Sequence, residues 1–207
     1  MNADPLLTLA QVVPDTEAEG PGRRFAVWFQ GCPLRCPGCC NPEFLPFAGG
    51  TQTRLSDLLR QLDAVSGLEG VSLLGGEPFA HAAGAAAFAR AVQARGLGVM
   101  VYSGHTLDQI RELPAPAEEL LAATDLLVDG PYLRDQPEAD RRWVGSRNQR
   151  VHFLTPRYDP LDPVWRRPNT LEIRVRGGEV AVNGFPAVRA VGLWKPQWVR
   201  KGRSAAT

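Results

Sequence analysis

Apolar positions along the chain alternate between short β-type runs and longer helical stripes. Residues 24–30, RFAVWFQ, are rich in β-branched and aromatic side chains, which favours a strand. Residues 54–65 instead carry leucine at positions 55, 58, 59 and 62, the spacing of one helix face. The same criteria predict strands over residues 70–74, 97–102, 125–128 and 150–154, and helices over 82–95, 106–112 and 117–123, with a break at Pro114 and Pro116.

Strands that alternate with helices are typical of a parallel α/β fold. Residues 7–13 are expected to pair antiparallel with residues 24–30 across a polar turn that contains Gly and Pro. A closed (β/α)₈ barrel usually needs about 250 residues, whereas this chain has 207 and only four or five β/α repeats. The predicted fold class is therefore α/β, with a partial open parallel (β/α) barrel.

The C-terminal part has a different pattern. Residues 156–168 are rich in Pro, Asp and Arg, as in a linker, and residues 171–175 and 179–182 flank an Arg-Gly-Gly turn that predicts a β-hairpin. Residues 193–207 are basic and are expected to be frayed. The predicted domains are a core over residues 1–155 and a C-terminal extension over residues 156–207, which is hypothesised to dock a partner or to cover the open edge of the barrel.

Composition excludes some classes of protein. Hydrophobic residues make up 44% of the chain, and a formal net charge of +1 gives no electrostatic footprint for nucleic acid. The sequence has no run of about 18 apolar residues that would predict a membrane span, and its N-terminus lacks the basic start and apolar run of a secretory signal. We therefore expect a cytoplasmic protein, with neither nucleic acid nor a membrane as partner.

The four cysteines all lie between positions 32 and 40. A disulfide framework would spread them along the chain, because crosslinks that close long loops restrain the unfolded state most. Such a tight group indicates a metal or cluster site instead. Cys32, Cys36 and Cys39 form C-x₃-C-x₂-C, and we expect these three to bind a [4Fe–4S] cluster, with Cys40 as a small apolar thiol beside it.

A zinc site made of the four cysteines is the alternative. Zinc motifs usually pair C-x₂-C with a second pair a dozen or more residues away, and the sequence contains no second pair. Ordinary [4Fe–4S] proteins supply four thiolates, whereas three leave one iron open, just as a catalytic zinc keeps an open position. An open iron can chelate the amino and carboxylate groups of S-adenosylmethionine (SAM), and an electron from the reduced cluster can then cleave SAM to a 5′-deoxyadenosyl radical.

A second motif, Gly75-Gly76-Glu77-Pro78, follows the strand predicted over residues 70–74. Ligand sites in parallel β/α folds lie at the carboxyl ends of strands, where glycine lets the backbone approach a ligand closely. The carboxylate of Glu77 suits the positively charged amino group of SAM. By the same argument Ser103 and Asp129, which end two further strands, are expected to contact SAM or substrate. The alternative for these positions is a tight turn or a helix cap.

These motifs together resemble the radical SAM activating enzymes of glycyl-radical enzymes. The resemblance is greatest to the activating protein of the anaerobic (class III) ribonucleoside-triphosphate reductase. It spans residues 7 to about 154. The matching segments are Gly20-Pro21-Gly22-x-Arg24, Gln30-Gly31-Cys32-x₃-Cys36-Pro37-Gly38-Cys39-x-Asn41, Ser72-x₂-Gly75-Gly76-Glu77-Pro78, Ser103-Gly104, Leu107-Asp108, Leu127-Val128-Asp129-Gly130 and Gly145-Ser146-x-Asn148-Gln149.

The resemblance implies a deoxyadenosyl radical that abstracts hydrogen from one glycine Cα of a large glycyl-radical enzyme, above all the anaerobic ribonucleotide reductase. It implies that the backbone of Gly38, Cys39 and Cys40 contributes to the SAM pocket and that Gly76 lies against SAM. It also implies a flavodoxin- or ferredoxin-type electron donor. Two features depart from the pattern: Cys40 stands where an aromatic residue, often Tyr, is common, and short members lack the extension after about residue 155.

Two other functions stay open at this point. The first is a radical SAM enzyme that acts on another peptide or a small molecule. Extra cysteines for auxiliary clusters would favour it, and the sequence has none. The second is a non-enzymatic iron–sulfur or zinc module.

Overall fold

The computed structural model describes residues 4–176 and 179–184 of the chain. Its strands are β1 (Leu6–Thr16), β2 (Arg24–Phe29), β3 (Thr51–Arg54), β4 (Gly70–Gly75), β5 (Gly98–Tyr102), β6 (Leu126–Asp129), β7 (Arg150–Phe153), β8 (Leu171–Arg176) and β9 (Glu179–Gly184). Its helices are α1 (Leu55–Asp63), α2 (Ala82–Gln93), α3 (Leu107–Arg111) and α4 (Ala115–Ala122), and 3₁₀ turns lie at Pro42–Phe44, Pro78–His81 and Pro163–Arg166.

Each strand and helix predicted from the sequence is present, with bounds that shift by at most three residues. The break expected at two prolines is only partly correct. Pro114 precedes α4, whereas Pro116 lies in its first turn, where the helix needs no backbone donor. Strand β3 was not predicted, because its sequence, TQTR, is polar and largely exposed; it forms by pairing with β1, from Leu6 opposite Arg54 onward.

The main sheet has the strand order β3-β1-β2-β4-β5-β6-β7. Strands β2, β4, β5 and β6 are parallel, as predicted, and β1 pairs antiparallel with β2. Strand β7 corrects the expectation of a further parallel repeat, because it runs antiparallel to β6. The reason is the connection: residues 130–149 form turns rather than the crossover helix that a parallel strand needs.

Both faces of the parallel strands are covered, which explains why all six residues of β2 are buried. On one face Phe25 and Leu73 belong to an apolar core shared with α1, α2 and α4. On the other face Met100 and Val128 pack with Trp143, which belongs to the irregular segment after β6. The strands therefore form the middle layer of the molecule, and their carboxyl ends share one edge.

A buried arginine ties the amino ends of the strands together. The guanidinium of Arg24, in β2, is fully buried. Its Nε donates to Ser72 Oγ in β4 at 2.7 Å, and Nη1 donates to the Pro21 carbonyl and to the Tyr158 hydroxyl, both at 3.1 Å. A buried cation is tolerated only when its donors are satisfied, so these bonds keep the strands in register.

Residues that follow β7 pack onto the sheet. The ring of Trp165 contacts Trp143 edge-on with centroids 5.4 Å apart, Phe153 at 5.0 Å and Tyr158 at 6.5 Å. The backbone N–H of Arg142 also donates to the Trp165 carbonyl at 2.7 Å. This segment therefore closes the face of the sheet opposite the helices.

The predicted C-terminal hairpin is confirmed: β8 and β9 pair antiparallel as a separate two-stranded sheet. Side chains of the hairpin form hydrogen bonds to the last residue of β1 and to the backbone of the residue that follows it. Asn183 Nδ2 donates to Thr16 Oγ1 at 2.8 Å, and Glu172 accepts from the Glu17 backbone N–H at 2.7 Å. The segment predicted to be frayed, residues 193–207, lies outside the described residues.

Replacing Trp165 by Ala should lower the free energy of unfolding by about 2–3 kcal/mol, because a half-buried ring with three aromatic contacts is lost. Leu161→Ala, in the same segment but 85% exposed, is the matched control and should change it by less than about 0.5 kcal/mol. Urea unfolding of the full chain measures both. Equal values for the two variants would contradict the packing of this segment on the sheet.

Candidate functional site

The cysteine loop begins where β2 ends. Its two sides are joined by backbone hydrogen bonds, from Gly31 N–H to the Phe44 carbonyl at 2.8 Å and from Cys32 N–H to the Leu45 carbonyl at 3.0 Å. These bonds close the intervening residues into a loop at the carboxyl edge of the sheet. The loop that carries the cysteines is therefore closed at its base, directly after the buried strand.

A tight turn brings Cys36 and Cys39 close together. The N–H of Cys39 donates to the Cys36 carbonyl at 3.1 Å. Gly38, at the third position of this turn, has φ +74°, a conformation that favours glycine and follows naturally from a Pro-Gly centre. The x₂ spacing of the motif thus has a local physical origin.

The four thiols differ in exposure: Cys32 is buried, Cys36 and Cys39 are half-buried and Cys40 is exposed. All four line one cavity of about 150 Å³. Burial raises the pKa of the Cys32 and Cys39 thiols. A metal that binds them must therefore displace their protons, which makes its affinity depend on pH.

The second motif meets the cysteine loop at the end of β4. Gly76 N–H donates to the Phe29 carbonyl at 2.8 Å, and Glu77 N–H donates to the Gly31 carbonyl at 3.0 Å. A Cβ on Gly76 would lie only 2.2 Å from that Gly31 carbonyl oxygen. Glycine is therefore required here because two backbone segments touch, and Gly75 and Gly76 both line the cavity.

Glu77 lines the cavity but is only 1% exposed. Its Oε1 accepts from Phe79 N–H and Ser103 Oγ, both at 3.0 Å, and its Oε2 accepts from Gly104 N–H at 2.9 Å. Burial raises its pKa to about 7, against the opposing effect of these bonds. Glu77 thus caps the turn after β4 and joins it to the end of β5.

Ser103 lines the cavity, whereas Asp129 and Gly38 are not among its lining residues. The Asp129 carboxylate accepts from Leu107 N–H at 2.6 Å and lies 3.0 Å from His152 Nε2, so it supports α3 and β7 behind the wall. Gly38 would place a Cβ 2.8 Å from Arg134 Cδ, so the Arg134 side chain occupies the space beside it. Gly130, the neighbour of Asp129, contributes to the wall instead.

Tyr132 and Gln149 also line the cavity. Tyr132 ends the polar segment after the strand over residues 125–128, which the sequence placed at the rim, whereas Gln149 had no role assigned to it. Burial, with a further contribution from Cys40, raises the pKa of Tyr132 to about 12. Gln149 belonged to the matching segment Gly145-Ser146-x-Asn148-Gln149, but its residue type alone gave it no chemical role. Only the folding of residues 130–149 places them opposite the cysteines.

A larger cavity of about 430 Å³ lies between β1, the start of α2 and the start of α4. Leu7, Phe29 and His81 are among its lining residues, but the cysteines and the Gly-Gly-Glu motif are not. The smaller cavity is the candidate site, since it gathers the groups that can bind a cluster.

Comparison with known proteins identifies the family. A protein family described as "4Fe-4S single cluster domain" matches residues 18–152. The anaerobic ribonucleoside-triphosphate reductase-activating protein of Vibrio cholerae is 31% identical over 154 residues, which cover 70% of this chain and 97% of that protein. The protein of the same name from Escherichia coli K12 is 31% identical over 153 residues, with 70% and 97% covered. The chain belongs to the family of anaerobic ribonucleoside-triphosphate reductase-activating proteins.

The family of activating proteins also includes a member in bacteriophage T4, 27% identical over 163 residues, with 75% of this chain and 96% of that protein covered. Among solved structures, QueE from Escherichia coli has a TM-score of 0.39 and 15% identity, covering 49% of this chain and 54% of that chain, a likeness too slight to bear on function.

The cysteine spacing left both an iron–sulfur cluster and a zinc ion open. The family match decides in favour of the iron–sulfur cluster.

Within residues 4–176 and 179–184, no group of three or more Cys, His, Asp or Glu side chains is arranged to hold a single metal ion. In the same part of the chain, no helix has the length and hydrophobicity needed to cross a bilayer.

Gly76→Ala should destabilise the metal-free protein by about 1–3 kcal/mol, because its methyl group would overlap the Gly31 carbonyl. Gly84→Ala in α2 is the matched control. Its methyl group would lie 3.4 Å from Leu7 Cγ, so the change should be neutral or should stabilise by up to about 1 kcal/mol. Chemical denaturation without iron measures both, and wild-type stability of the Gly76 variant would refute the close contact.

Proposed function

We propose that this protein is a radical SAM activating enzyme that forms a glycyl radical on an anaerobic ribonucleoside-triphosphate reductase. One observation carries the proposal: the three motif cysteines, Gly75, Gly76, Glu77 and Ser103 line the same cavity. That cavity lies at the carboxyl edge of parallel strands, where ligand sites of such folds occur.

In this proposal Cys32, Cys36 and Cys39 hold a [4Fe–4S] cluster with one open iron. The turn through Gly38 supports it by fixing two of the three thiols on adjacent parts of the loop. Cys40 is the exposed member, which suits a thiol outside the ligand set. When bound, the cluster would supply the electron that cleaves the S–C5′ bond of SAM, and the resulting 5′-deoxyadenosyl radical would take a hydrogen atom from a glycine Cα of the reductase.

The residues at the ends of β4 and β5 would hold the methionine part of SAM. A carboxylate has about four lone-pair positions, and three bonds to Glu77 are already made inside the protein. One position remains for the SAM ammonium group, whose charge would favour the ionised form of a group with a pKa of about 7. Gly76, which lines the cavity, would lie against SAM through its backbone.

The cavity volume is about 150 Å³, below the roughly 300–1,000 Å³ typical of ligand pockets. Bound SAM would therefore extend from the cavity toward solvent beside the exposed Cys40. A partner glycine could reach the radical from that side. The electron donor in this proposal is a flavodoxin- or ferredoxin-type protein.

Three further assignments belong to the proposal. The four parallel strands would form the partial barrel of a radical SAM core over residues 1–155. Residues 156–207 would be an extension, and the contacts of Trp165 and Tyr158 favour a covering role for its first part. The reducing cytoplasm would suit a protein whose four cysteines form no disulfide.

Replacing Cys32, Cys36 or Cys39 by Ala should abolish the cluster in the anaerobically reconstituted protein, because each removes one of three ligands. Cys40→Ala is the control and should retain close to the full iron content. Iron analysis and the cluster's absorbance spectrum measure this. Loss of iron in the Cys40 variant, with retention in any of the other three, would reassign the ligands.

With dithionite as reductant, the reconstituted protein should convert SAM to 5′-deoxyadenosine and methionine. With an anaerobic ribonucleotide reductase added, a glycyl-radical signal should appear in the EPR spectrum. SAM cleavage without that signal would favour a different peptide or small-molecule substrate. A cluster that never cleaves SAM would favour the non-enzymatic iron–sulfur module.

A further inference from the structure

Residues 145–149, which follow Trp143, form hydrogen bonds to residues 130–133, the loop that follows β6. Asn148 Nδ2 donates to the Pro131 carbonyl at 2.7 Å, and the buried Ser146 Oγ accepts from Leu133 N–H at 3.1 Å. Side chains from one short segment thus fix the position of residues 130–133.

Gln149 makes three of the hydrogen bonds between and within these segments. Its Oε1 accepts from the N–H groups of Gly145 and Ser146, both at 3.1 Å, and its Nε2 donates to the Gly130 carbonyl at 3.0 Å. One amide thereby joins two turns that are 15 or more residues apart in sequence. An amide is suited to this position because it accepts and donates at once, which an ionised carboxylate cannot do.

These contacts build the wall of the cavity that faces the cysteines. Gly130, Tyr132, Gly145 and Gln149 all line the cavity. A Cβ on Gly145 would lie 3.2 Å from Tyr132 Cδ2, so the Tyr132 ring rests directly against the turn that Gln149 holds. Tyr132 in turn interacts with Cys40 at the end of the cysteine motif.

We propose that Gln149 is a positioning residue for SAM: it fixes the wall formed by Gly130, Tyr132 and Gly145 at the distance that SAM needs from the cluster. This inference rests on the proposed function. It assigns a role to Gln149, whose residue type alone suggested none.

The test compares SAM affinity in the reconstituted wild type, Gln149→Ala and Gln149→Glu by titration calorimetry over pH about 5 to about 8. At pH about 8 both variants should bind SAM roughly tenfold to a hundredfold more weakly than wild type. For the Glu variant the difference in SAM affinity from wild type should become smaller as pH falls, because a protonated carboxyl restores both the acceptor and the donor. For the Ala variant this difference should not change with pH.

Each affinity is expressed relative to wild type at the same pH, because Glu77, with a pKa of about 7, titrates in the same cavity. Arg141 Nη1 donates to the Gln149 backbone carbonyl at 2.8 Å. This nearby cation lowers the pKa of a carboxyl introduced at position 149. The SAM affinity of the Glu variant is therefore expected to recover only near the lowest pH measured. Tyr132 stays neutral throughout, since its pKa is about 12. Gln61→Glu, on the exposed face of α1, makes the same chemical change away from the site and should match wild type.

Iron content separates positioning from a general structural role, and all variants should keep the wild-type amount. SAM cleavage should show a raised KM with kcat within about twofold of wild type. Wild-type SAM affinity in Gln149→Ala, a pH-independent gap in Gln149→Glu, or loss of iron in either would overturn the role. Failure of the wild type to bind SAM would instead overturn the proposed function, and this role with it.

Discussion

The contact between the backbones of Gly31 and Gly76 is the constraint on which the site depends. The Glu77 N–H donates to the Gly31 carbonyl, and that carbonyl lies so close to Gly76 that neither a methyl group nor any larger side chain fits there. This contact holds the start of the cysteine loop against the Gly-Gly-Glu turn. Without it the cysteines and Glu77 would end two neighbouring strands but would not face a common cavity.

Buried polar groups at both ends of the strands keep that contact in place. At the amino ends the Arg24 guanidinium joins β2, β4 and Tyr158. At the carboxyl ends the Glu77 carboxylate joins the turns after β4 and β5. Each group makes at least three hydrogen bonds, which offset the free-energy cost of removing it from water and help to hold the segments it joins in place.

The residues that the structure describes after β7 support the site by packing against it, without lining the cavity themselves. The Trp165 ring fills the space over Trp143 and Phe153, and Trp143 belongs to the same segment as the wall residue Gly145. Packing on the far face of the sheet thus supports the segment that lines the cavity. A part of the chain without evident chemistry therefore helps to shape the site from outside it.

Much of this organisation followed from local sequence. Hydrophobic periodicity predicted the helices and the parallel strands, because burial of an apolar face fixes both the period and the element. Strand β3 escaped prediction because a polar edge strand has no such signal and exists only through its pairing with β1. The direction of β7 could not be predicted either, because the composition of residues 130–149, which connect β6 to β7, did not show that they form no helix.

The C-x₃-C-x₂-C spacing, its Pro-Gly turn and the Gly-Gly-Glu motif are all local features that can be identified from sequence, and the turn follows from the conformational preferences of Pro and Gly. Which polar groups face the cavity depends on the three-dimensional fold. It turned Asp129 behind the wall, where it supports α3 and β7, and brought Tyr132 and Gln149 in front of the cysteines. The physical reason is that a side chain's direction at a strand end depends on hydrogen bonds to residues distant in sequence, and no local pattern encodes those bonds.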